Sequence, residues 1–358
     1  LAKEKLYPFH VTILTYMTQT GVVMLSLPRI LAENFGYNGW MALIGLSGIA
    51  ALNIFIISLV YRLGKGKSIF QIMEMSLPKF VLYPLYSFIA CIWAVTGCIV
   101  AKNYVSIFQM ISFNTTHVML LKIMVDILVY FLVIKGIYNI SKALTSFYWV
   151  TSWMYLILFF YFKDFEWARM TPFFFSGETH FVEGSMSVFT SFIGYELSLL
   201  LFPYVEKGKK FMRAVQIGNL LTTLTYIIIC FICFGFYSFE QLKLMVYPML
   251  DLLSYIKLPF IERIDNLLFA FFLFTTVSTI AMYIWASQEI VKRMIPKAKV
   301  KVIVILIIMA VFFIAWIPDT IPEIGEWLQY LGYTDTVIAF GLPLMLIAIL
   351  LVNKRARQ

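Results

Sequence analysis

Runs of about twenty apolar residues recur along the whole chain, and no other sequence feature limits its fold as strongly. A helix needs roughly 20 such residues to cross a bilayer. The runs fall at 9–31, 40–61, 82–112, 118–139, 142–162, 183–203, 214–237, 262–288, 300–318 and 333–353. Charged residues make up only 13% of the sequence, about half the roughly 25% of a soluble domain. These runs cannot all be hidden in a water-soluble core. An all-α integral membrane protein of about ten transmembrane helices is expected, with residues 1–358 forming one transmembrane domain. The first run has no small-residue cleavage site and contains Pro28, so it is expected to remain as a span.

Basic residues set an orientation. With the N-terminus in the cytoplasm, segments 1–8, 62–81, 135–142, 204–213, 289–301 and 354–358 face inward and hold 20 of the 28 lysines and arginines. Asp164, Glu166, Glu178, Glu183, Asp319, Glu323 and Glu326 fall in the opposite loops. This is the positive-inside pattern, and it places both termini in the cytoplasm. The net charge of +9 therefore reports topology, and no nucleic-acid partner is expected. Cys91, Cys98, Cys230 and Cys233 lie within apolar runs and read as small buried fillers. The last two form a C-x-x-C that lacks a second pair or clustered histidines to complete a zinc site. Hydrolase, zinc-protease and nucleotide-binding motifs are absent, so no catalysis, metal or cofactor is expected.

Two spans combine a glycine, a polar residue and a later proline near mid-helix. The first reads Thr18-Gln19-Thr20-Gly21-Val22-Val23 and reaches Pro28. The sixth reads Phe192-Ile193-Gly194-Tyr195-Glu196 and reaches Pro203. Such interruptions are tolerated where they line a cavity or are satisfied by neighbours. Polar stretches follow the second span (67–78) and the seventh (239–259) on opposite faces, as two inverted repeats at about 9–162 and 183–353 require.

These residues carry a resemblance. Gly21 to Pro28, Gly194-Tyr195-Glu196 to Pro203, and Pro259-Phe260-Ile261-Glu262-Arg263-Ile264-Asp265 resemble the spore germination permease family. Its members are the B subunits of nutrient germinant receptors, within the amino-acid/polyamine/organocation superfamily. The resemblance implies a LeuT-like 5+5 fold with broken helices 1 and 6, placed in the spore inner membrane. It implies partnership with an A subunit and a C-subunit lipoprotein, and response to an amino acid or other small nutrient.

Broken helices give a physical reason for the same site. Half-helix N-termini present oriented N–H groups suited to a carboxylate. Thr18, Gln19, Thr20, Gly21, Val22 and Val23 from the first span, with Phe192, Ile193, Gly194, Tyr195 and Glu196 from the sixth, form the candidate ligand site. The two glycines either admit a ligand to the backbone or ease helix packing. Glu196 either meets a ligand ammonium or braces the break, and an acid at mid-bilayer needs one such partner. Lys102 and Asp126 flank the turn near residue 115 at depths differing by about 3 Å, so they are expected to share a polar cluster that extends to Glu196. Lys102 facing the cavity is the other reading.

Thr275, Thr276, Ser278 and Thr279 offer hydroxyls to a sodium ion or to their own i−4 carbonyls. The fifth span has no mid-membrane lysine of the kind that couples protons in some relatives, which favours a sensor over a pump. Three functions stay open: a nutrient-sensing receptor subunit, an alternating-access transporter, and a scaffold with a vestigial pocket.

Overall fold

A chain in hydrocarbon must satisfy its own backbone polar groups, so spanning segments are helical unless buried protein or a cavity receives what is left over. The computed structural model describes residues 5–170, 180–206, 208–256 and 264–355. These are helical almost throughout. No strand occurs among them, only an isolated parallel bridge between Leu6 and Val205. Residues 259–263 of the distinctive motif lie outside the described residues, as does Glu178.

Among the described residues, seven stretches are long and apolar enough to cross a membrane: Gly39–Leu63, Lys79–Ser112, Ile137–Asp164, Phe181–Tyr204, Lys210–Phe236, Asp265–Met294 and Ile321–Asn353. Three shorter elements complete the expected ten. The first span is divided into Pro8–Gln19 and Leu27–Phe35. The fourth, Val118–Val133, and the ninth, Val300–Ile314, have 16 and 15 residues.

The tenth helix corrects the sequence reading. Expected at 333–353, it begins at Ile321 and runs for 35 residues to Arg355. The Glu323 carboxylate accepts the Asp319 N–H at 2.8 Å and the Thr320 N–H at 3.4 Å, and the Thr320 hydroxyl accepts the Glu323 N–H at 3.4 Å. This reciprocal cap starts the helix early. Glu323 and Glu326, assigned to a loop by their charge, are therefore helical.

The third and eighth helices pack along their lengths, and the first half-span packs against the seventh, fifth and eighth. Small residues permit the close approaches. A Cβ on Gly218 of the seventh helix would lie 2.7 Å from Thr15 Cβ and 2.8 Å from the Thr12 carbonyl oxygen. A Cβ on Gly97 of the third would lie 3.2 Å from Tyr283 Cβ on the eighth.

The polar stretches after the second and seventh spans form matching short helices, Ile69–Met73 and Phe239–Leu244. Each opens with the same reciprocal cap, Ser68 with Gln71 and Ser238 with Gln241. The pairing is crossed. Ile69–Met73 touches the second half of the sixth span, and Phe239–Leu244 touches the second half of the first.

Candidate functional site

The first helix stops at Gln19, and the hydroxyls at its end are satisfied locally. Thr18 and Thr20 hydroxyls donate back to the carbonyls of Leu14 and Tyr16, at 2.6 and 2.8 Å. Thr20 and Gly21 are extended, a short 3-10 turn covers Val22–Leu25, and the helix resumes at Leu27. Pro28 sits in the first turn of the resumed helix, where its missing N–H costs nothing. In the sixth span, Phe181–Phe189 and a turn at Thr190–Phe192 lead to Gly194 at φ +125°, followed by a 3-10 segment from Tyr195 to Tyr204. That φ is available to glycine and strained for other residues.

The two breaks touch and are tied by side chains of the seventh and eighth helices. Gln19 Nε2 donates to the Phe192 carbonyl at 2.5 Å and to Asn219 Oδ1 at 3.1 Å. The Thr222 hydroxyl donates to Gln19 Oε1 at 3.0 Å. The Tyr226 hydroxyl lies 2.8 Å from the Gln19 carbonyl and 3.0 Å from the Ser191 carbonyl, one on each break. Thr279 Oγ1 reaches the Thr18 carbonyl at 3.0 Å. Thr275, Thr276 and Ser278 instead bond back within their own helix, to Phe272, Phe272 and Phe274.

A cavity of about 630 Å³ extends from these breaks toward the face that bears Glu183 and Glu326. Small-molecule sites commonly measure roughly 300–1,000 Å³. The inner wall is buried and includes Thr18, Gln19, Ser191, Thr279, Tyr283 and Asp335, whereas Glu183, Glu326 and Gln329 toward the mouth are exposed. On the opposite, basic face the molecule is shut. Leu6 N–H donates to the Tyr204 carbonyl at 2.9 Å, Tyr204 Oη to Glu289 at 2.7 Å, and Arg293 pairs with Glu74.

The expected site residues divide in two. Thr18, Gln19, Gly21, Val22, Val23 and Ile193 line the cavity. Thr20, Phe192, Gly194, Tyr195 and Glu196 are buried behind it. A Cβ on Gly194 would come within 3.0 Å of Thr18 Cγ2, so this glycine permits contact between the breaks. Gly21 has extended torsions and its nearest neighbour would be Thr279 Oγ1 at 3.5 Å. Glu196 is fully buried. Its Oε2 accepts the Gly194 N–H at 2.7 Å and its Oε1 accepts the Tyr283 hydroxyl at 3.3 Å. Tyr195 Oη accepts from Asn53 Nδ2 at 2.8 Å.

Lys102 points away from the cavity, toward Met119 Sδ at 3.6 Å. The expected partnership of Lys102 with Asp126 is replaced by another. Lys122 Nζ, wholly buried, lies 2.6 Å from Asp126 Oδ2 one helical turn away, and over the Phe312 ring. Residues i and i+4 are neighbours on one helix face, whereas the Lys102 ammonium is directed at Met119. The sequence reading missed Lys122 and Asp335. The first was legible from its spacing to Asp126. The second left no signal beyond a lone acid inside an apolar run.

Discontinuous first and sixth helices that meet at the inner end of a cavity are a fold feature shared with many secondary transporters. The fold is similar to that of Mhp1, a nucleobase-cation-symport-1 family transporter, with a TM-score of 0.67 at 12% identity over 92% of this chain and 75% of that one. It is also similar to the Eremococcus coleocola manganese transporter, with a TM-score of 0.59 at 13% identity over 96% and 77%. A family profile described as Spore germination protein matches residues 5–324, and the chain belongs to that family. Relatives include spore germination protein GerQB of Bacillus cereus, 24% identical over 91% of both chains. Another is spore germination protein A2 of Bacillus subtilis strain 168, 23% identical over 94% of this chain and 93% of its own.

Proposed function

We propose that this protein is the nutrient-sensing membrane subunit of a spore germination receptor and that its ligand, an amino acid, binds in the cavity beside the two helix breaks. Family membership supports the germination role. The observation that carries the site is the cavity itself, which is lined by residues of both breaks. Occupancy there biases the contacts between the half-helices, and a ligand shifts the conformational balance only by its differential affinity for the two states. An A subunit and a C-subunit lipoprotein in the spore inner membrane pass the change on. In this reading the basic face is cytoplasmic and the cavity opens on the other.

A thermal-shift screen of the purified chain against amino acids, sugars and nucleosides tests this. A ligand at 100 times its Kd stabilises by about 2.7 kcal/mol. Gly21→Trp fills the cavity beside the first break and is expected to abolish any hit. A folded Gly21→Trp protein that binds as before removes the assignment.

The transporter reading has its own support, because a cavity open on one face and shut on the other is what one state of alternating access requires. Uptake by proteoliposomes containing the single chain separates the two. Robust accumulation of the nutrient overturns a role confined to sensing.

A further inference from the structure

Asp335 is fully buried in the tenth helix and lies on the cavity wall. Its Oδ2 accepts the Thr96 hydroxyl at 2.9 Å, and its Oδ1 has no partner. The neighbouring buried acid, Glu196, has both oxygens engaged by Gly194 and Tyr283, so the two acids stand differently. One belongs to the fold and the other keeps an oxygen in reserve. The Ser191 hydroxyl, on the sixth-span break that packs against the tenth helix, also lines the cavity and is buried and unpartnered.

A buried carboxylate with an unused oxygen is costly unless a cation or donor reaches it. No donor of the wall reaches Oδ1. Among the described lining residues, Arg29 is the single basic side chain, and it sits 3.8 Å from Glu33 on its own helix. Glu183 and Glu326 add further negative charge toward the mouth. A cleft lined by one sign of charge concentrates ligands of the other.

We infer that Asp335 is the ammonium-binding residue of this cavity, and that the protein therefore selects small nutrients carrying a protonated amine. This rests on the cavity being the nutrient site. The Oδ1 atom accepts a charge-assisted N–H hydrogen bond, Thr96 fixes the carboxylate, and the Ser191 hydroxyl is placed to bond a second polar group of the same ligand.

The test measures binding of the proteinogenic amino acids to the purified full chain, and then, for each hit, of its decarboxylated amine and its deaminated acid. The amine is expected to retain binding and the acid to lose about tenfold or more, given the strength of hydrogen bonds to charged groups. Asp335→Asn preserves shape and the Thr96 contact, and is expected to weaken the amino acid by a similar factor. Asp335→Glu keeps the charge and the preference for amine over acid. Equal binding of acid and amine, or wild-type affinity in Asp335→Asn while Gly21→Trp still abolishes the hit, overturns the ammonium role and leaves the pocket standing. Stabilisation by sodium chloride alone that disappears in Asp335→Asn overturns it in favour of an inorganic cation. Silence of the wild-type protein across the whole panel overturns the pocket and the inference together.

Discussion

The carboxylate of Glu196 accepts a hydrogen bond at 2.7 Å from the backbone N–H of Gly194, two residues earlier in the chain. An acid at the middle of a span thus closes the interruption that its own helix creates, and Tyr283 on the eighth helix donates to its other oxygen. Glu196→Gln retains an acceptor for the Gly194 N–H and is expected to fold. Glu196→Ala leaves a buried N–H and a buried hydroxyl without partners, a loss of about 1–3 kcal/mol for each group. Melting temperatures in detergent decide it, and an alanine variant as stable as wild type rules out the bracing role.

The two break glycines should respond in opposite ways to the smallest substitution. Gly194→Ala forces a side chain into φ +125° and against Thr18, at about 1–3 kcal/mol for the backbone strain alone. Gly21→Ala meets nothing closer than 3.5 Å and should leave stability unchanged. Equal melting temperatures for the two variants would contradict this division.

Removal of Asp126 strands the charge of the wholly buried Lys122 and should destabilise strongly, by about 3–5 kcal/mol. The double change Lys122→Met with Asp126→Leu should recover most of that loss, because no charge is then stranded. Exchange of charge between Lys102 and Asp126 should give no rescue, since Lys102 faces Met119 instead. Recovery in the Lys102–Asp126 exchange would refute the pairing described above.

On the basic face, Arg293 and Glu74 form a partly exposed pair, and exposed pairs contribute about 0–1 kcal/mol. Arg293→Ala should hardly change the melting temperature. In a background with Cys91 replaced, the same change should increase labelling of a cysteine at Thr18 by a reagent supplied from the basic face. Unchanged labelling would show that Leu6, Tyr204 and Glu289 hold that side shut without the pair.

The sequence was most informative where apolar length alone sets the answer. The second span, expected at 40–61, is helical at Ala42–Leu63, and the seventh, expected at 214–237, at Lys210–Phe236. The tenth begins earlier than its apolar run implies, because Thr320 and Glu323 form a helix cap that the charge of Glu323 and Glu326 conceals. Both breaks were legible from glycine followed by proline. The assignment of each residue to the cavity or to the packing behind it was not, because it depends on rotation about the helix axis once the neighbours are in place. Asp335 illustrates the limit. A hydropathy window averages one acid away, and only the approach of Thr96 from the third helix distinguishes its two oxygens.

The crossed attachment of the two short capped helices has a mechanical consequence. Each lies against a half-helix of the opposite repeat, Ile69–Met73 on the far half of the sixth span and Phe239–Leu244 on the far half of the first. A swing of either half-helix must therefore drag on a piece of the other repeat at the membrane surface. The two repeats are geared to each other, so that a displacement of a half-helix in one is felt as a pull on a surface loop of the other.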